Sequence, residues 1–150
     1  MNVVGPFPAS DVAARLKAKV PLAKLFGTAA DLDAALENPP NASPALYVLV
    51  EERGGTEKYS GPMTVQNADV QVKVVLLVRN VTGERLGTGA RQKADEVIAQ
   101  LRAALIGWSP SPDFNALTFS AGRDDRYRAG WYAGQQIFRS DYRIQNQVMP

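Results

Sequence analysis

Residues 63–80 form one strand-like run, Met63-Thr64-Val65-Gln66-Asn67-Ala68-Asp69-Val70-Gln71-Val72-Lys73-Val74-Val75-Leu76-Leu77-Val78-Arg79-Asn80. Val70, Val72, Val74, Leu76 and Val78 fall on one face of an extended chain, because strand side chains alternate with period two. Fully extended, such a run spans roughly 60 Å, whereas a compact domain of this size measures roughly 40 Å across. The strand must therefore bend, break at a bulge near Asn67-Ala68, or protrude. Apolar residues are sparse toward Met63 and dense toward Asn80. That gradient favours a protruding ribbon, and a ribbon on a small domain usually serves assembly.

The chain of 150 residues suits a single domain, 1–150, with 1–9 and 146–150 as extended termini. It is large enough to bury a core without staples. Seventeen basic residues against fifteen acidic give a net charge of +2, too balanced to imply nucleic-acid affinity by itself. There is no cysteine and no histidine. Disulfides, thiolate chemistry, the usual general base and nearly every transition-metal site go with them, so no cofactor is expected. The longest apolar runs, 45–50 and 74–78, are far shorter than a membrane span. Met1-Asn2-Val3-Val4-Gly5-Pro6 lacks a basic leader and a long apolar stretch, so no signal peptide and a cytosolic site of synthesis are expected.

The remaining pattern is legible in outline. Ser10 is placed to cap a first helix with Val12, Leu16 and Val20 on one face, ended by Pro21. Leu22 to Phe26 is a short apolar piece closed by Gly27. Thr28 with Asp31 resembles a capping box, opening a second helix with Leu32, Ala35 and Leu36 inward. Asn38-Pro39-Pro40-Asn41 reads as a loop, and 45–52 as a strand. Arg53-Gly54-Gly55-Thr56 reads as the start of a long turn. A long helix spans about 88–106, with Ala90, Ala94, Val97, Ile98, Leu101 and Leu105 at helical spacing and Gly107 as its C-cap. Strand patterns return at 116–122, 127–133 and 135–145. The expected fold class is α+β: a mostly antiparallel β-sheet packed on one face by one long and two shorter helices, with a protruding β-hairpin.

Candidate chemistry is sparse. Glu51 with Glu52, or Asp124 with Asp125, are the carboxylate pairs an enzyme would need, but adjacent strand residues point to opposite faces. Solvated charges are the simpler reading. Gly83-Glu84-Arg85-Leu86-Gly87-Thr88-Gly89 is glycine-rich before a helix, yet lacks the Gly-Lys-Ser/Thr ending of a phosphate loop. Asn41-Ala42-Ser43 and Asn80-Val81-Thr82 are read as chance sequons. Arg123-Asp124-Asp125-Arg126-Tyr127-Arg128 is denser in charge than a turn requires. Arg and Tyr are residues that interfaces enrich, although a hairpin turn with mutually paired charges fits equally well. In the last strand Ile137, Arg139, Asp141 and Arg143 share one face, and Phe138, Ser140, Tyr142 and Ile144 the other. The charged face suits solvent, or pairing with a neighbouring subunit.

Several pieces, in this order, resemble the Mu-like (lambda-like) phage tail terminator family. They are Ala14-Arg15-Leu16-Lys17-Ala18-Lys19-Val20-Pro21, Ala29-Ala30-Asp31-Leu32-Asp33-Ala34-Ala35-Leu36 and Pro44-Ala45-Leu46-Tyr47-Val48-Leu49. Val74-Val75-Leu76-Leu77-Val78-Arg79-Asn80, Leu101-Arg102-Ala103-Ala104-Leu105-Ile106-Gly107-Trp108 and the aromatic strand at 137–142 follow. The resemblance implies a small structural virion protein, not an enzyme, made in the bacterial host cytoplasm. It implies a homo-hexameric ring at the head-proximal end of the tail tube, which stops tube polymerisation and offers the attachment surface for the head or neck. Partners implied are the tail tube protein, connector or neck proteins and, in contractile tails, the sheath. DNA would pass through the ring without specific binding. From composition, the interface residues expected are Arg53, Glu57, Lys58 and Tyr59 in the ribbon, Arg123, Asp124, Asp125, Arg126 and Arg128 in the charged turn, and Arg139, Asp141 and Arg143 on the last strand. The alternatives are another head–tail joining ring, a small carboxylate-dependent enzyme, or a ligand-binding domain.

Overall fold

The computed structural model describes residues 2–80 and 88–148. Its elements are α1 (Ala9–Lys19), β1 (Leu25–Thr28), α2 (Ala29–Glu37), β2 (Ala45–Ser60), β3 (Met63–Arg79), α3 (Thr88–Leu105), β4 (Thr118–Asp125) and β5 (Trp131–Gln147). The strands make one sheet in the order β1-β2-β3-β5-β4. Every pair is antiparallel except β1 with β2. The architecture is α+β, as the order of helical and strand patterns indicates.

The alternation within β3 decides the core. Val70, Val72, Val74, Leu76 and Val78 are all buried on one sheet face. In register, Leu46 and Val48 of β2 oppose Leu76 and Val74, and Phe138 of β5 opposes Val72. Helices α1 and α3 cover this face with Val12 and Leu16, and with Ala94, Val97 and Leu101, all fully buried. The three- and four-residue spacing of those residues is what turns one stripe of each helix to the sheet. Helix α3 then stops before Gly107, whose φ of +86° suits a C-cap.

Helix α2 departs from the expectation that all three helices share one face. Its Ala35 packs instead with Ala45, Tyr47, Leu77 and Ala133 on the opposite face. The cause is β1, a short parallel strand that the apolar pattern at 22–26 did not reveal. Two neighbouring parallel strands need a crossover, whose hand fixes the side on which the connecting helix lies. At its start the backbone N–H of Thr28 donates to Asp31 Oδ2 at 2.8 Å, as the capping box requires. Leu36, expected inward, is 57% exposed because this helix touches only a corner of the sheet. Ser10 also differs from expectation. Pro8 holds the N-cap position of α1, and Ser10 lies inside the first turn, where proline's fixed φ gives the helix a pre-set entry.

The largest correction concerns the ribbon. Residues 53–56 do not open a long turn, because β2 continues to Ser60 and pairs with β3 down to Met63. The hairpin closes over Gly61-Pro62, with Gly61 at φ +62°, a conformation that favours glycine. A bulge beside Asn67-Ala68, one of the three alternatives, exists as well, but on the partner strand. The register shifts between Gly54 and Glu57, so two residues of β2 face Asn67. Strands β2, β3 and β5 together form an arm in which positions 51–67 hold no buried residue. The three strands expected at the end of the chain are two, since 126–130 is the turn and Gly134 lies within β5. Val3 pairs with Gln145 through hydrogen bonds of 2.8 and 2.9 Å. Residues 83–87 of the glycine-rich stretch and 81–82 of the second sequon lie outside the described residues.

At the root of the arm, Tyr142 is 3% exposed and meets Phe114 edge-on at 4.8 Å, with Phe7 on the far side of Phe114. Burial, then a hydrogen bond to Glu52, pushes its phenol up to about 12 from an ordinary value near 10. A pKa raised on folding gives stability that is full below the unfolded value and lost as pH rises through the folded one. Stability should therefore fall between pH 10 and about 12, with up to roughly 3 kcal/mol due to this group. Urea unfolding of Tyr142→Phe across that range should show a flatter alkaline fall than the parent. Parallel curves would remove Tyr142 as the cause.

Candidate assembly surface

The sheet face opposite α1 and α3 is open beyond α2, and it carries charge. Arg53, Asp69 and Asp141 lie side by side across β2, β3 and β5. One step along, Glu51, Gln71 and Arg139 do the same, and Asn67 stands beside Arg143. Arg53, Arg139, Asp141 and Arg143 are all exposed. The expectation that Arg139, Asp141 and Arg143 share the face away from Phe138 and Tyr142 matches this register. Asp69 opposite Asp141 is a like-charge pair, unfavourable by itself, offset by Arg53 on one flank and by an amide of Asn115 donating to Asp141 Oδ1 at 2.5 Å. A shallow concavity on this face is lined by Glu51, Arg53, Asp69, Gln71 and Arg139.

The arm brings Glu57, Lys58 and Tyr59 together near its tip. Tyr59 is 74% exposed, an aromatic ring with nothing buried against it. Glu57, Lys58 and Tyr59 stand in register with Gln66, Val65 and Thr64 of β3, so the tip is a paired strand and not a loose loop. Such a ring on a paired strand is the kind of anchor a partner surface receives.

The charged turn is tied into the molecule more than its sequence reveals. Asp124 accepts hydrogen bonds from Arg91 at 2.5 Å and from the Tyr132 hydroxyl at 2.7 Å. Those two bonds, Tyr132 first, hold its carboxyl below the usual range. Burial and the same bond raise the Tyr132 phenol. Asp125 accepts from the Gln135 amide and sits 3.9 Å from Arg123. Arg128 donates to Leu36 O at 3.0 Å and lies over the Tyr127 ring, while the Tyr127 hydroxyl donates to Ala35 O. The turn therefore clamps β4 and β5 to α3 and α2. All five charged residues of the turn, Arg123, Asp124, Asp125, Arg126 and Arg128, nevertheless remain exposed.

The carboxylate pairs do not converge. Glu52 accepts from Phe7 N at 3.0 Å and from Tyr142 on the helix-covered side, whereas Glu51 stands with Gln71 on the open side. Asp124 and Asp125 diverge likewise, toward Arg91 and toward Gln135. Among the described residues no group of three or more acidic side chains is placed to hold a metal ion. What the surface offers is a polar sheet face, an arm of paired strands and two strand edges.

Sequence reasoning passed over the edges. The outer side of β4 has no strand partner among the described residues, and β1 covers β2 only from Ala45 to Val48. The signal was present in the short, polar 118–125 segment, but finding an edge needs the strand order.

A family model described as phage tail terminator protein matches residues 2–148. A search of curated proteins gave no match. Among solved structures, a chain from "Virion of native gene transfer agent (GTA) particle" shares the fold with a TM-score of 0.50 at 18% identity, over 92% of this chain and 94% of that one.

Proposed function

Because this chain belongs to the phage tail terminator family, we propose that it forms a ring, expected to be a hexamer, that caps the head-proximal end of a tail tube. It is a structural tail protein, and association with other tail and virion proteins follows from that. The observation that carries the finer reading is the arm of β2, β3 and β5, which runs past the helix-covered core with no buried residue between 51 and 67. A small domain keeps so long a polar projection ordered when something else uses it.

The activity requires complementary surfaces and no catalysis. One heterologous contact, repeated with a rotation that closes, gives a ring. Capping follows when the far side of that ring rejects another tube subunit, and the same side then receives the neck. Interface roles are proposed for Arg53, Glu57, Lys58 and Tyr59 on the arm, for Arg123 and Arg126 beside the turn, and for Arg139, Asp141 and Arg143 on the open face. The same role is proposed for Asp124, Asp125 and Arg128, which are exposed and also fix the turn through their bonds to Arg91, Gln135 and Leu36 O. A net charge of +2 suits a bore that passes DNA without gripping it.

Electron microscopy of particles assembled without this protein tests the reading through tail length. Overlong, irregular tails that fail to join heads are expected. Tails of normal length would sink termination and leave a joining role in the neck.

A further inference from the structure

The two free edges of the sheet match each other. On β2 the edge opens at Leu49, where β1 ends, and stays regular to Arg53, before the shift between Gly54 and Glu57. On β4 the regular stretch runs from Ala121 to Asp125, between a shift after Phe119 and the end of the strand. Both segments are five residues long. The other exposed flank is treated differently. The distal edge of β5 is covered by Asn115, whose N–H donates to Asp141 O, by Phe114 at Tyr142 and by Val3 at Gln145. Among the described residues no backbone hydrogen bond from outside the sheet reaches 49–53 or 121–125, and an uncovered edge is a template for another strand.

We infer that Ala121–Asp125 of one copy pairs antiparallel with Leu49–Arg53 of the next, placing Arg123 opposite Glu51, so that the ring is closed by a continuous sheet. This rests on the ring reading above and names its contact. The direction follows from topology. Strand β4 runs opposite to β5, β5 opposite to β3 and β3 opposite to β2, so β4 and β2 are antiparallel to each other at opposite sides of the sheet. Rotation about an axis along the strands preserves direction, and each β4 therefore meets the next β2 antiparallel.

The register follows from three constraints. Residues opposite one another share a sheet face. Glu51, beside Gln71, and Arg123, beside Gln135, both lie on the open face. A slip of two residues one way would set Arg123 against Arg53 and Asp125 against Glu51, two like-charge pairs. A slip of two the other way would push Asp125 against Tyr47, whose edge Gly27 of β1 already occupies. The chosen register also sets the β4 irregularity at Ser120 against Gly54, one residue before β2 becomes irregular, so the two interruptions adjoin.

The absence of native cysteine makes the test clean. The full chain carrying both Glu51→Cys and Arg123→Cys is oxidised, in solution and on particles assembled with it, and run on a non-reducing gel. A ladder ending at the ring number is expected. Each single variant should stay monomeric, and the Arg53→Cys, Arg123→Cys pair should cross-link at least tenfold less, since its diagonal spacing of about 7–8 Å exceeds disulfide reach. Without oxidation, Glu51→Arg should weaken association about tenfold or more, and Arg123→Glu in the same chain should restore it. Rings seen by native mass with no Glu51–Arg123 cross-link would overturn the edge pairing while sparing the ring. No closed assembly in either setting would overturn the ring reading and this contact with it.

Discussion

Replacing Phe138 with alanine is expected to remove about 3–5 kcal/mol of folding stability. The side chain is fully buried where β5 crosses beneath α3, opposite Val72 on one strand and Phe119 on the other. Its ring meets Phe119 edge-on at 6.0 Å, and Arg102 of α3 lies 4.3 Å from the Phe119 ring while donating to Gln136 at 2.8 Å. Truncation leaves a cavity that the paired strands hold open, so the loss exceeds the transfer energy of the ring alone. For a chain of this size the midpoint of thermal unfolding should drop by roughly 10 °C. Phe119→Ala provides the scale, because that ring is 41% exposed and packs only on its inner side. Unfolding in urea at one protein concentration compares the two. A loss for Phe138→Ala no larger than for Phe119→Ala would mean that α3 does not press on β5 as described.

The alternation from Val70 to Val78 made the central strand and its buried face readable, and the spacing from Ala90 to Leu105 did the same for α3. Both signals are long and periodic, and each arises from one element packing on one surface. Leu25–Thr28 was unreadable as a strand because four residues carry no period, and its pairing with 45–48 is a tertiary fact. Missing it also concealed the side on which α2 lies. Arg53–Thr56 resembled a turn because two glycines there break the apolar pattern, yet in the arm no pattern is demanded, since neither face is buried. The charge of 123–128 was visible, but not its bonds to other elements of the same chain. Arg91 and Leu36, which engage Asp124 and Arg128, are distant in sequence. Several of the residues that composition marks for an interface therefore also fasten the turn, while staying exposed.

Cutting the arm back should separate ring closure from capping. Removing 55–67 and joining Gly54 to Ala68 through an Asn-Gly turn deletes no buried residue. It leaves Ala68, Tyr142 and Leu49–Arg53 in place but takes the β3 partners of residues 143–147, so the melting midpoint should fall by no more than about 8 °C, and the edge proposed to join copies is retained. If the strands lie along the ring axis, the arm extends along that axis by roughly 20 Å, out of the ring plane. Its partner is then above or below, at the tube or the neck, and not the lateral neighbour. The truncated chain should therefore still close rings and still show the Glu51–Arg123 cross-link, while particles built with it carry overlong tails like those lacking the protein. Normal tails would dismiss the arm as the docking element. Folded chains that no longer form rings would place the arm between subunits instead, and with it Glu57, Lys58 and Tyr59.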